Sequence, residues 1–555
     1  MSRAFAVWIL TLGAAAHAQL VRGPYLQKET PTSIVVVWRT LAAEDSVVKF
    51  GTGAAALTQT ATGAANVANH AVTLTGLSPG TRYFYSVGTA AVTRAPATAG
   101  EQPEHTFLTP PPAGTRKPFR FWVVGDDGTA GTAQATTVSR MKALAVAPGE
   151  KWPDLFIHLG DMAYDFGTDT EFTTNHFAPH QTVLRRTPLW PTMGNHEGAS
   201  SSSGAQTGPY YDAYVLPTAG EAGGVASGTE AYYSFDYANV HFVVLNSHDV
   251  SRSATGTMAT WLKSDLMATA QEWIIVFFHH PPYTKGTHNS DTESQLVEMR
   301  QNILPILEFN GVDLVLGGHS HIFERSFLVN GAYQTPTTAA GKILDTGSGR
   351  LDGGTGPYRK RIGHVANDGT VYVVAGHGGA SVGGPANHPL MFFSEVANGS
   401  CLVDVDGDTL TLRNLRNSNG LVTDHFSMVK NRLLDGGTAG SGGGAGGGGA
   451  GGGGGAAGGV GGAAGAGGAG GTGGAGGAGG AGGAGGAGGA GGAGGAGGTG
   501  GAGGAGGAGG TGGTGGGIGG APMARGCGCG SAGVLPSIFL AVAFVLRRRR
   551  QPTRV

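Results

Sequence analysis

The chain has 555 residues, 107 of them glycine, and a formal net charge of −1. That length suggests several units, and a nearly balanced charge leaves no basic footprint for nucleic acid. Of the three cysteines only Cys401 lies in the globular part, which excludes a disulfide scaffold and a thiolate zinc site.

Residues 1–18 read as a secretory signal. Arg3 gives a positive start, residues 5–16 an apolar run, and Ala16-His17-Ala18 a small-x-small cleavage site. The mature chain is expected to begin near Gln19. Residues 19–112 then alternate β-rich runs with turns, with strands expected at 33–38, 46–50, 70–74 and 83–87. Leu77-Ser78-Pro79-Gly80-Thr81 followed by Arg82 and Tyr83 resembles the tyrosine corner of fibronectin type III-like sandwiches. Tyr83 would be the corner residue and Trp38 a core aromatic. No constellation of charges marks this unit, so it reads as a structural or substrate-framing sandwich. Pro110, Pro111 and Pro112 are expected to end it as a stiff linker.

Residues 116–435 repeat one pattern five times: a short apolar run that ends in metal-binding residue types. The run 119–124 leads to Gly125-Asp126-Asp127-Gly128, and 155–159 to Gly160-Asp161-Met162-Ala163-Tyr164. The run 191–193 leads to Gly194-Asn195-His196-Glu197, and 273–278 to His279-His280-Pro281-Pro282-Tyr283. The last, 312–316, leads to Gly317-Gly318-His319-Ser320-His321. Near-continuous apolar runs indicate strands buried on both faces. Helix-like stretches at 133–147 and 259–267 separate some of them, so the class is α/β. In such sheets ligands bind at the carboxyl ends of strands, where these residues fall. Carboxylate, amide and imidazole donors without thiolate suit two ions of the iron, zinc or manganese kind. A glycine precedes the first ligand in four of the motifs and lets the backbone turn there. Just past a strand end, His319 and His321 lie on one side and can reach neighbouring ions. Each motif alone is commonplace, but five in this order are hard to obtain by chance.

Residues 436–521 are mostly Gly-Gly-Ala triplets, and collagen would need one glycine per triplet with abundant proline. The stretch cannot bury a core and reads as a disordered spacer, with a span on the order of 50 Å. Within 522–555, Cys527 and Cys529 precede an uncharged segment at 532–546, interrupted by Pro536 and followed by Arg547 to Arg550. This resembles the tripartite sorting tags of bacterial surface proteins, most closely the MYXO-CTERM type; a plain membrane anchor is the alternative reading. The arginines would stay cytoplasmic. The resemblance implies an exported protein held at the cell surface, with the cell envelope and a sorting machinery as partners.

The five motifs together form the calcineurin-like metallophosphoesterase pattern. Tyr164, three residues after Asp161, resembles the purple acid phosphatase branch of it. The run Arg22-Gly23-Pro24-Tyr25-Leu26-Gln27 resembles the start of that branch's N-terminal domain, and Tyr233-Ser234-Phe235-Asp236, Trp261-Leu262-Lys263 and Phe323-Glu324-Arg325 are supporting phrases. The resemblance spans about 22–430. It implies a four-layer αββα sandwich preceded by an all-β fibronectin type III-like sandwich. It further implies Fe(III) held by Asp126, Asp161, Tyr164 and His321, and a second ion (Fe, Zn or Mn) held by Asp161, Asn195, His279 and His319. Asp161 bridges the two, and His280 is the alternative to His279. Such ions generate hydroxide at low pH for in-line attack on phosphorus. His196 and His288 resemble positions that contact phosphate and assist the leaving group. The implied activity is acid phosphatase hydrolysis of small phosphate monoesters. The alternatives are a phosphodiesterase or nucleotide pyrophosphatase with the same centre, or a surface binding protein without turnover. The complete ligand set argues against the last, and the loop 198–228 leaves the substrate open. Three features depart from the pattern. Asp127 adds a carboxylate, expected to point away from the site. His377 sits unassigned in a glycine turn, and the Asp-rich stretch 404–408 reads as a hairpin turn rather than a calcium loop.

Overall fold

A computed structural model describes residues 19–96 and 104–432. The expected signal segment, the glycine-rich spacer and the C-terminal tag lie outside the described residues.

The first unit is two facing sheets. One has the order Leu20–Thr30, Ser33–Glu44, Val67–Thr75; the other holds Gln59–Thr62, Val47–Gly51, Arg82–Gly88, Thr93–Ala95 and Thr106–Leu108. Val67–Thr75 shows the underlying pattern, with His70, Val72 and Leu74 buried and the intervening residues exposed. The inner faces enclose Trp38, which stacks on His70 at 4.6 Å between ring centroids. The Ser78 amide donates to the Tyr83 hydroxyl at 2.9 Å, the contact a tyrosine corner makes. All four expected strands are present, and four more accompany them. Leu20–Thr30 escaped the sequence reading because Gly23 and Pro24 interrupt it. Proline is tolerated there because the strand is at a sheet edge and its pairing slips at that point. The triple proline is not a free linker. Pro110 and Pro111 are buried, and the Pro110 carbonyl accepts the Gly80 amide at 3.0 Å.

The edge strand docks the two folded parts together. Tyr25 donates its hydroxyl to the Ala213 carbonyl at 2.6 Å, and Gln27 donates to the Leu189 carbonyl at 3.0 Å. Arg22, 4% exposed, donates to Asp169 and Thr173 and lies over the Phe177 ring.

The second unit is two seven-stranded mixed sheets packed face to face. The first runs Leu189–Pro191, Leu155–His158, Phe119–Val124, Gly399–Asp406, Thr409–Arg416, Val422–Arg432, Tyr358–Arg361. The second runs Tyr233–Tyr237, Val240–Val244, Trp273–Phe277, Leu314–Gly317, Val371–Ala375, Phe323–Ser326, Met391–Glu395. Aromatic side chains join the two faces: Trp190 stacks on Phe235 at 3.9 Å and Phe121 meets Phe242 at 5.4 Å. Helices Thr132–Ala145 and Ala178–Leu184 cover the first sheet, and Thr257–Ala268 and Leu304–Phe309 the second. The result is the expected αββα order. The five motif strands are divided, three in the first sheet and two in the second, and their carboxyl ends meet where the sheets face each other. The stretch at 404–408 is a strand end that runs into the hairpin turn expected there, Gly407-Asp408, with Asp406 opposite Thr409. No helix among the described residues is long and apolar enough to cross a membrane.

Candidate metal centre

The strand ends bring all seven expected ligand residues together. The Tyr164 hydroxyl lies 3.4 Å from Asp126 Oδ1, 3.2 Å from Asp161 Oδ2 and 3.1 Å from His321 Nε2. On the other side of Asp161, His279 Nε2 is 3.2 Å from Asp161 Oδ2 and 3.0 Å from Asn195 Oδ1. His319 Nδ1 is 2.9 Å from the same Asn195 oxygen. Asp161 therefore stands between two donor sets.

The turns that make this possible lie mostly at the ligands themselves; of the glycines that precede a first ligand, only Gly160 has positive φ, at 94°. Asp126, Asp161 and His319 themselves have positive φ, at 58°, 57° and 63°, a region non-glycine residues rarely enter and one typical of functional sites. The preceding glycines mainly allow close approach. A Cβ on Gly194 would sit 2.1 Å from Asp161 Oδ1, and one on Gly318 2.5 Å from Asp126 Oδ2.

The donor chemistry fits cations. The outer nitrogen of each imidazole faces an acceptor: His279 Nδ1 donates to the Leu159 carbonyl, His321 Nδ1 to the Ser381 carbonyl, and His319 Nε2 points at Glu293. The inner nitrogens are then bare lone pairs, aimed at carboxylate, amide and phenol oxygens. Lone pairs facing lone pairs define a cation site, and the outer contacts fix the tautomer that ligation needs. No lysine or arginine among the described residues pairs with Asp126 or Asp161. Burial drives Asp126 well above the usual carboxylate range against the pull of His279. Burial opposes the ionisation of Asp161 too, but there a positive charge on His279, standing where an ion's charge would be, outweighs it and holds the group low. Burial and the charges of Asp126 and Asp161 push the Tyr164 phenol far up, so a phenolate forms there only beside a cation.

His196 and His288 both border the site. The His196 ring packs on Tyr164 at 4.1 Å, its Nδ1 meets the Asp165 carbonyl at 2.6 Å, and its Nε2 is 3.9 Å from Asp161. His288 lies 3.8 Å from the His319 ring, with Nδ1 2.9 Å from Glu293. His280 does not take the place of His279: its Nδ1 meets the Ser247 hydroxyl at 2.9 Å and its ring packs on His319. Asp127 points away, toward His158 and His180. His377 is buried and bonded to Asn414, outside the ligand set.

Two carboxylates were missed as functional. Glu197 accepts the amides of Gly194, Asp161, Met162 and Ala163 at 2.7–3.0 Å and so locks two ligand loops to each other. Burial and the Asp161 charge push it up to about 7. Its only sequence signal is its place three residues into a short helix, where a glutamate caps free amides. Glu293 joins His288 to His319, and nothing in its spacing announces that.

Residues 119–323 match the family model of calcineurin-like phosphoesterases, and residues 24–109 that of the purple acid phosphatase N-terminal domain. Over these two stretches the chain is similar to the calcineurin-like phosphoesterases and to the purple acid phosphatases. Purple acid phosphatase 23 of Arabidopsis thaliana is 31% identical over 283 residues, covering 46% of this chain and 57% of its own length. Purple acid phosphatase 18 of the same plant is 30% identical, covering 48% and 55%. The chain thus spans little more than half the length of these curated relatives. Among solved structures, purple acid phosphatase PPD1 from yellow lupin (Lupinus luteus) seeds superposes with a TM-score of 0.54 over 75% of each chain, at 18% identity. That likeness concerns the fold.

Proposed function

We propose that this purple acid phosphatase-like chain is a secreted, surface-held phosphatase that hydrolyses small phosphate monoesters at a binuclear metal centre. The observation that carries the reading is the convergence of Tyr164, Asp126, Asp161 and His321 on one point, with Asn195, His279 and His319 on the next. The first set, with its hard phenolate and carboxylates, suits Fe(III); the second suits Fe, Zn or Mn. Ions held there would lower the pKa of water and neutralise phosphoryl oxygens.

The chain's own groups supply the rest. His196 gives its Nδ1 proton to the Asp165 carbonyl, so only the imidazolium has a further N–H, on Nε2, to offer a leaving alkoxide. His288, held through Nδ1 by Glu293, is in the same position. Both are placed to pass a proton to the leaving group and a hydrogen bond to phosphate. Glu197 keeps the ligand loops in register throughout. The N-terminal unit, with its Tyr83 corner contact, is proposed to be a fibronectin type III-like frame. Export by residues 1–18, spacing by residues 436–521 and retention by residues 522–555 complete the proposal and rest on sequence pattern.

The test combines metal analysis with a panel of phosphate monoesters and diesters, on the wild type and on Asp161→Ala. Wild-type turnover of monoesters with two ions bound at this centre is expected. Asp161→Ala removes the one ligand shared by both donor sets, so both ions and turnover should be lost. Near-normal metal and rate in that variant would sink the assignment, and faster turnover of diesters would replace the monoester reading.

A further inference from the structure

Asp127 has no role in the binuclear centre. Its carboxylate turns instead into a closed pocket with His158, from the strand Leu155–His158, and with His176 and His180, from consecutive helical turns. All four side chains are 0% exposed. Asp127 Oδ1 is 3.0 Å from His158 Nε2, and Oδ2 is 3.0 Å from His180 Nε2. Donor atoms of Asp127, His158 and His176 lie within 4.8 Å of one another. The His176 and His180 rings are 5.1 Å apart, at the i, i+4 spacing by which one helix face offers two imidazoles to one ion. His176 lies in a π-helical turn, Phe172–Phe177, a distortion frequent at functional sites.

The hydrogen bonds fix the tautomers. His158 Nδ1 accepts the Gly160 amide at 3.2 Å. Its proton is therefore on Nε2, which donates to Asp127. His180 is the reverse: its Nδ1 faces the His176 carbonyl at 2.9 Å, which can only accept. The Nε2 lone pair of His180 then lies 3.0 Å from Asp127 Oδ2, and neither atom has a hydrogen-bond partner among the described residues, so a cation bound beside both would answer them. A proton on His180 would satisfy that pair. It would leave His176 with both ring nitrogens buried and no hydrogen-bond partner among the described residues, a costly arrangement. A metal ion answers both needs, by taking lone pairs from His176 and His180 and an oxygen from Asp127.

We propose that Asp127, His176 and His180 form a separate, buried site for a divalent ion of the zinc class, with the Nε2–H of His158 holding the carboxylate. Two imidazoles and a carboxylate suit zinc and its first-row neighbours, whereas calcium and magnesium prefer oxygen donors alone. A ligating carboxylate braced by its own hydrogen bond is the usual support of such sites. Because Asp127 follows Asp126, the ion would anchor the first ligand loop from behind. The site does not depend on the binuclear reading.

The test loads the full chain with zinc, desalts it, and counts ions per folded chain in the wild type, His176→Leu, Asp161→Ala and the double variant. His176→Leu should hold one ion fewer than the wild type. Asp161→Ala should keep one ion, which the double variant loses. If His176→Leu fails to fold, His180→Gln in the same backgrounds gives the same reading. In the Asp161→Ala background zinc should also raise the melting temperature, and the second substitution should abolish that rise. Equal zinc content with and without the pocket substitution, together with no ion left in Asp161→Ala, would overturn the proposal and assign the pocket to a proton on His180. Loss of one ion on His176→Leu with no effect of Asp161→Ala would uphold the pocket and refute the binuclear centre instead.

Discussion

His196 illustrates how a single ring can be read from its contacts. With Nδ1 committed to the Asp165 carbonyl and the ring packed on Tyr164, the remaining nitrogen is free to serve a departing group without holding a metal. His196→Ala should therefore leave metal content intact and slow hydrolysis by about 10²–10⁴-fold, the usual worth of a positioned acid. Rates measured across esters of graded leaving-group pKa should show the smallest loss for the best leaving groups. A uniform loss would reduce His196 to holding phosphate. At this scale the ligand set was legible in the sequence because each member sits at a fixed offset from a strand end. Glu197 and Glu293 were less so. Their partners are backbone amides and other histidines, which leave no mark on composition or spacing. The destination of Asp127 was legible only as "away from the site", since its partners at 158, 176 and 180 come together through the fold alone.

Elements show where pattern reasoning holds and where backbone detail escapes it. The apolar runs fixed the motif strands, and their two-faced burial was apparent from composition. Which of two sheets each strand joins was not, because both sheets are lined by the same β-branched and aromatic residues. The positive φ of Asp126, Asp161 and His319 was also hidden behind the neighbouring glycines. One element-level contact carries a pH signature. His241, on the strand Val240–Val244, is fully buried between Asp236 at 2.7 Å and Asp265 at 2.9 Å. Burial opposes its charge, but hydrogen bonds to the two carboxylates win and lift it to about 9. A histidine raised above its unfolded value of about 6.5 stabilises fully below that pH and loses the contribution as pH rises through the folded value. The pair of carboxylates should thus contribute up to about 3 kcal/mol near pH 6 that fades toward pH 9. Melting temperature followed from pH 6 to 10 should fall over that window, and His241→Gln should flatten the decline. An unchanged slope in the variant would remove His241 from the account.

At the scale of the molecule, the edge strand Leu20–Thr30 and the second unit share hydrogen bonds through Tyr25, Gln27 and Arg22, so the two folded parts should behave as one body. No proposed site residue lies beyond residue 432. A chain ending at Asp435 should keep full activity and appear in the medium, measured as activity in culture supernatant against cells; equal retention on cells would refute the proposed role of the C-terminal tag. The central claim concerns what Tyr164 touches. A phenolate on Fe(III) absorbs visible light, whereas a tyrosine merely packed beside the site does not. The decisive measurement is the visible spectrum of the oxidised, purified protein with its iron content. A violet or pink band with bound iron is expected, bleached and with weakened iron retention in Tyr164→Phe while the fold survives. A colourless, iron-free wild type that hydrolyses phosphate esters with zinc or manganese would contradict it.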